Sequence, residues 1–235
     1  MKHMHRRTVL SSVWQLWAGT TALSLFSAQA RASSFSQTDA TAAVRAALER
    51  GADIAVKQLG QQNGFLNNDK IRIPLPDILE KATPLLRAMG KGRDLDDLVN
   101  GMNHAAESAV PMALPLLRNA IKSMSVEDAS KIISGGEHSV TDFFATKTRK
   151  PLTDQFLPVV TKAIEKSSLV KQYNGLTSKA GGMGLLKGEQ KTVQQHVTAK
   201  ALEGLYFVIG EEERRIRRDP VGTGSAILKK VFSGL

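Results

Sequence analysis

Cysteine is absent from the 235 residues, which excludes disulfides, thiolate metal sites, a cysteine nucleophile and a lipidated N-terminal cysteine. Aromatic residues are scarce, at 5%. Both tryptophans, Trp14 and Trp17, lie near the N-terminus. Beyond residue 30, therefore, no interface can be anchored on tryptophan and no sugar can be recognised by tryptophan stacking. In that part of the chain no uncharged apolar run approaches the roughly 18 residues of a membrane span. Serine-triad, zinc-protease and dinucleotide patterns are missing, and no internal repeat of fixed period is present. Acid is the minority charge: 22 Asp+Glu face 32 Lys+Arg, a formal charge of +10. With 42% hydrophobic and 23% charged residues, the composition is that of a folded chain rather than a disordered one.

The first thirty residues read as an address. Lys2, Arg6 and Arg7 precede an uncharged, mostly apolar stretch from Thr8 to Leu25, which Ala28-Gln29-Ala30 closes. A basic start, an apolar middle and a small-residue end make a secretory signal peptide over 1–30. A membrane anchor is the competing reading, weakened by Gln15, Gly19, Thr20 and Thr21. Arg6-Arg7 ahead of Thr8-Val9-Leu10 fits either twin-arginine export of a folded protein or plain n-region charge. Removal of the signal would take three basic and no acidic residues, leaving 31–235 with a charge of +7. The expected location is the periplasm.

The remainder reads as helices punctuated by proline and glycine, and the expected architecture is all-α: a single-domain bundle of about seven to nine helices. The first, about Asp39–Leu59, carries Val44, Ala47, Leu48, Gly51, Ala52, Ala55 and Leu59 on one face, with Thr38 as its cap. Gly60–Lys70 is a polar loop. Ile71–Pro76 alternates in character but contains two prolines, which limits it to a short extended segment. A helix follows from Asp77 to Met89, with Pro84 as a kink and Gly90 as a stop. The long stripe Leu95, Leu98, Val99, Met102, Ala105, Ala106, Ala109 and Val110 bends or restarts at Pro111 and Pro115. Ser125 and Asp128 form a capping box for a short helix to Ser134. Separate helices are expected over Ser139–Thr148 and from Pro151 onward, then one around Leu169–Leu176 with a flexible break at Gly181–Gly184. A long helix over about Lys191–Arg218 and a short one carrying Ile227, Leu228, Val231 and Phe232 complete the set. A chain of this length can bury roughly 70% of its unfolded surface in one core.

Several stretches taken together resemble a known family. They include Gly64-Phe65-Leu66, Arg72-Ile73-Pro74-Leu75-Pro76, Met102-Asn103, Ala105-Ala106-Glu107 and Ala109-Val110-Pro111. Ser123-Met124-Ser125, Tyr173-Asn174, Ala201-Leu202-Glu203-Gly204-Leu205, Asp219–Ser225 and Leu228–Phe232 extend the set. Their order is similar to that of an exported bacterial family catalogued only as a domain of unknown function. The resemblance covers about Asp39 to Phe232. It implies an exported, mostly helical protein and carries over no activity and no catalytic residue.

Four features compete as sites, each beside a structural reading. His104 and Glu107, three apart on one helix face, could share a metal, but di-iron bundles need two such pairs and further glutamates. No cofactor is therefore expected. Arg214, Arg215 and Arg218 offer a basic patch for an anion or lipid headgroup, extended by Lys229 and Lys230. Against that, Glu211 with Arg215 and Glu213 with Arg217 are favourable i,i+4 pairs, and basic residues suit a helix C-terminus. Gly222-Thr223-Gly224-Ser225 could cradle an anion but reads more simply as a turn and cap. Arg72, in an apolar, proline-bounded segment, is expected to be partly buried and paired with Asp69, Asp77 or Glu107.

Three functions fit this inventory. The first is a non-catalytic module that binds an envelope protein, an anionic lipid headgroup or a wall polymer. The second is a carrier of a lipid or other apolar molecule between helices. The third is an enzyme with a cryptic His/Glu/Asp site. Nucleic acid could match the charge, but export argues against it as a partner.

Overall fold

Helix-forming stripes account for almost every element of the computed structural model, which describes residues 37–182 and 192–219. Every described residue belongs to one compact unit. The expected signal over 1–30, the Gly222–Ser225 turn and the final short helix lie outside the described residues. So do Lys229 and Lys230.

The described elements are α1 (Gln37–Leu59), α2 (Asp77–Ala88), α3 (Gly92–Ala109), a 3-10 turn (Val110–Met112), α4 (Ala113–Lys122) and α5 (Val126–Ser134). After them come α6 (Ser139–Ile164), α7 (Ser168–Gly182) and α8 (Val193–Arg218). The fold is an all-α bundle, and the described residues contain no strand. The face expected for α1 is buried throughout. Its small residues bring the backbone close to α8: a side-chain carbon at Gly51 would lie 3.8 Å from Glu212 Cβ. Thr38 falls inside the first turn of α1 and is not its cap. Pro111 sits in the 3-10 turn that joins α3 to α4, where its missing N–H costs little. Ser125 and Asp128 form the expected reciprocal box at the start of α5. Thr192 and Gln195 form a second at α8.

One expectation about a helix break fails. Residues 139–164 form one helix, not two, with Pro151 and Pro158 inside it. The carbonyls these prolines leave unbonded belong to Lys147 and Asp154, both exposed, where water can satisfy them. What holds α6 together is a continuous buried line: Val140, Phe144, Thr148, Leu152, Phe156, Val160 and Ile164. Four-residue steps advance about 40° beyond each full turn, so this line winds around the helix. At its start α6 packs on α8, with Thr141 beside Gly210; at its end Ile164 meets Gly101 of α3. Helix α7 ends at Gly182, inside the expected Gly181–Gly184 break, whose remaining residues lie outside the described ones.

Candidate functional site

The segment between α1 and α2, residues 60–76, is an irregular feature held in place by polar side chains of α3 and α8. It starts with a tight reversal. Asn63 adopts a left-handed φ of 62°, and a side-chain carbon at Gly64 would lie 2.5 Å from the Gln58 carbonyl oxygen. Phe65 and Ile73 are then fully buried against α3 and α8. Gly204 of α8 makes room for this, since a side-chain carbon there would come within 2.6 Å of Phe65 Cε1.

Buried backbone must be hydrogen-bonded, and in this segment side chains do what a neighbouring strand would do elsewhere. Glu107 accepts from three backbone N–H groups: Asn63 at 3.1 Å, Phe65 at 3.1 Å and Leu66 at 3.4 Å. Asn103 accepts from Ile73 N–H at 2.9 Å and donates to Ile73 O at 3.1 Å and to Val99 O at 2.8 Å. His196 of α8 lies 3.0 Å from the Pro74 carbonyl, and His104 Nε2 lies 3.2 Å from Asn63 Oδ1. Burial pushes the His196 imidazole below its ordinary range, against the pull of the Pro74 carbonyl. A neutral ring donating Nε2–H to Pro74 satisfies both groups.

His104 and Glu107 thus come together, at 3.9 Å, yet both oxygens of Glu107 already face backbone donors. Among the described residues no three His, Asp or Glu side chains group as metal ligands. Arg72 departs from expectation. It is exposed, because Ile71 and Ile73 take the inward positions of an extended segment whose side chains alternate. It forms no ion pair with a described residue. It borders an open groove of about 470 Å³ together with Asp69, Leu75, Glu80 and Pro84.

The basic end of α8 is elsewhere. Arg214 pairs with Glu211, which also meets Lys70 at 3.6 Å, and Arg215 pairs with Glu212. The expected Glu211–Arg215 pair is thus replaced by two i,i+3 pairs. The Arg214 guanidinium holds the Glu211 carboxyl below its usual range. Arg217 pairs with Glu213 at 2.8 Å, as expected. Glu213 is buried and also accepts from Val140 N–H at 3.2 Å and Ser139 Oγ at 3.1 Å. It thereby caps α6, whose own N-cap residue His138 supplies no side-chain bond, and a carboxylate suits that helix end. Arg218 is exposed and has no ion pair with a described residue. Arg214, Arg215, Arg218, Lys70 and Glu211 line a polar groove of about 740 Å³.

The six candidates therefore occupy three separate places: Arg72 on the docked segment, His104 and Glu107 on α3, and Arg214, Arg215 and Arg218 on α8. Asn103 and His196 were not site candidates from the sequence, and Glu213 was expected only as the partner of Arg217, not as the cap of α6. Asn103 and Glu213 carried a signal, because each falls on an apolar stripe, Val99–Asn103–Ala106 and Ile209–Glu213–Ile216. The apolar cavity between α1, α5, α6 and α8 measures about 30 Å³, room for little more than a water.

The profile of a family described as protein of unknown function (DUF4197) matches residues 34–233. Neither a curated protein nor a solved structure matches the chain.

Proposed function

The chain belongs to the DUF4197 family of unknown function, and from that premise we propose that it is an exported, non-catalytic binding module of the bacterial envelope. The observation that carries this reading is the employment of its polar core. Glu107, Asn103 and Glu213 are buried, and each is occupied by backbone groups of its own chain. Such groups stabilise a scaffold, whereas a catalytic carboxylate needs a free oxygen aimed at a substrate. The basic first residues and Ala28-Gln29-Ala30 support export, and the excess of Lys+Arg supports an anionic or acidic counterpart.

The carrier reading draws no support from an apolar space of about 30 Å³, far below the several hundred Å³ typical of ligand pockets. The test is affinity capture from envelope extract, with the protein immobilised as the producing cell processes it. A specific protein, lipid or wall-polymer fraction is expected to be retained. Retention of nothing beyond the control resin, together with turnover of a small molecule by the purified protein, would sink the proposal.

A further inference from the structure

Arg72 stands on a rigid stretch of backbone with no partner for its charge among the described residues. Its own N–H donates to Asn68 O at 2.8 Å. Asn103 holds the next residue, Ile73, at both its N–H and its carbonyl, and His196 meets the Pro74 carbonyl. Arg72 is exposed and lines an open groove of about 470 Å³ between this segment, α2 and α3. That volume falls within the roughly 300–1,000 Å³ of small-ligand sites. Leu75, Pro84 and Val99 give the groove apolar walls.

Two other charged residues line it, Asp69 and Glu80, and both are exposed. Neither forms an ion pair with Arg72 or with any other described residue. Lys70, beside Asp69 in the chain, turns to the α8 side instead, where it meets Glu211 at 3.6 Å and lies over the Phe207 ring. Along α2, the residues three and four positions from Glu80 are Asp77, Thr83 and Pro84, so the helix supplies no cation at the spacing that pairs. Lys81 projects about 100° further round the helix and does not line the groove, and Arg87 is taken by Asp96 at 2.6 Å. The groove therefore presents two carboxylates and one guanidinium, all three without a protein partner among the described residues.

The signs select the ligand. A simple anion would satisfy Arg72 and meet two carboxylates. A simple cation would satisfy the carboxylates and meet a guanidinium. A molecule that carries both charges matches all three groups. A guanidinium takes a carboxylate through two parallel N–H bonds, and an ammonium group is a donor to carboxylates. Because the backbone beneath Arg72 is already held, part of the ordering cost of binding is met by the fold.

We propose that this groove is a binding site for a short peptide with free termini. Its carboxylate lies on Arg72, its ammonium groups face Asp69 and Glu80, and its apolar part rests on Leu75, Pro84 and Val99. Both charged ends fall within one groove, which selects a short peptide over the end of a long chain. With two carboxylates against one guanidinium, a peptide bearing a second ammonium group is the best match. The inference rests on the binding-module reading and names a ligand class for it.

The test is calorimetric titration of the processed protein with the dipeptide lysyl-alanine and with its C-terminal amide. Wild type, Arg72→Gln and Asp69→Asn/Glu80→Gln are compared, and circular dichroism checks that each variant is folded, which the exposure of all three positions favours. The wild type is expected to bind the dipeptide saturably. The amide should bind about tenfold more weakly, because it leaves Arg72 without its partner. Arg72→Gln should bind dipeptide and amide alike. The double variant should bind the dipeptide more weakly and keep its preference over the amide. Absence of saturable binding by the wild type would overturn the proposal, as would equal binding of dipeptide and amide. So would a preference that survives in Arg72→Gln. If the dipeptide fails while envelope extract still yields a retained partner, the groove falls and the binding-module reading stands.

Discussion

Glu107 illustrates how one side chain can be mistaken for chemistry. Its carboxylate is buried and meets three backbone N–H groups, so it neutralises a reversal that would otherwise bury unsatisfied donors. In Glu107→Gln the oxygen can retain Phe65 and Leu66, but an amide NH₂ would then face the Asn63 N–H. The variant is expected to lose about 1–3 kcal/mol, read as a lower urea midpoint at unchanged slope. An unaltered midpoint would mean that the loop is held by burial alone. His196 gives the second residue-scale prediction. Its folded pKa lies below the ordinary 6.5 because burial disfavours the charged ring. Asp77, Lys200 and Glu203 modulate it from nearby. On acidification the unfolded chain therefore takes up the proton first. Stability from this group is intact above about 6.5 and is lost as pH falls from there through the folded value. In His196→Gln this component disappears, so the urea midpoint should change less than in the wild type on moving from neutral to mildly acidic pH. Parallel profiles would rule out His196 as the source. Both residues were visible in the sequence, but their roles were not, because the partners lie 41 to 122 positions away in the chain.

At the scale of elements, local chemistry predicts well where it is self-contained. The Ser125–Asp128 box was legible because all its partners lie within four residues. Ser125→Ala is expected to cost about 1 kcal/mol, visible in thermal unfolding as a modest drop of the midpoint; a drop of nothing would show that packing of Ala129 and Ile132 alone fixes α5. Proline was the misleading signal. Pro151 reads locally as a helix start, yet α6 passes through it, because Phe144, Leu152 and Phe156 are buried on one continuous line. That choice is made by α3 and α8, which a window around Pro151 does not contain. Arg72 misled in the same way. Its flanking isoleucines are buried and it is exposed, so the alternation of the segment, rather than its average hydropathy, was the informative feature.

Across the whole molecule, α6 packs chiefly on α8 and α3, while α2 has one buried side chain and an uncapped start. Opening free energy follows buried contact density. Native-state hydrogen exchange should accordingly find the slowest amides in α3, α6 and α8 and markedly faster ones in α2. Protection of α2 as strong as that of α6 would contradict this packing order. The all-α class was legible from periodicity alone, whereas the way residues 60–76 lie on α3 and α8 was not, since it depends on pairs of distant residues.

The placement of α8 has a consequence for biosynthesis. This helix supplies His196 and Gly204 to the docked segment and Glu213 to the start of α6, and its residues are among the last of the described chain to be made. A ribosome delivers the N-terminal side first. Helices α1, α3, α6 and α7, which pack on α8, therefore emerge with an apolar face still lacking a partner. Folding of this bundle must wait until α8 has left the ribosome, and until then those apolar faces stay open.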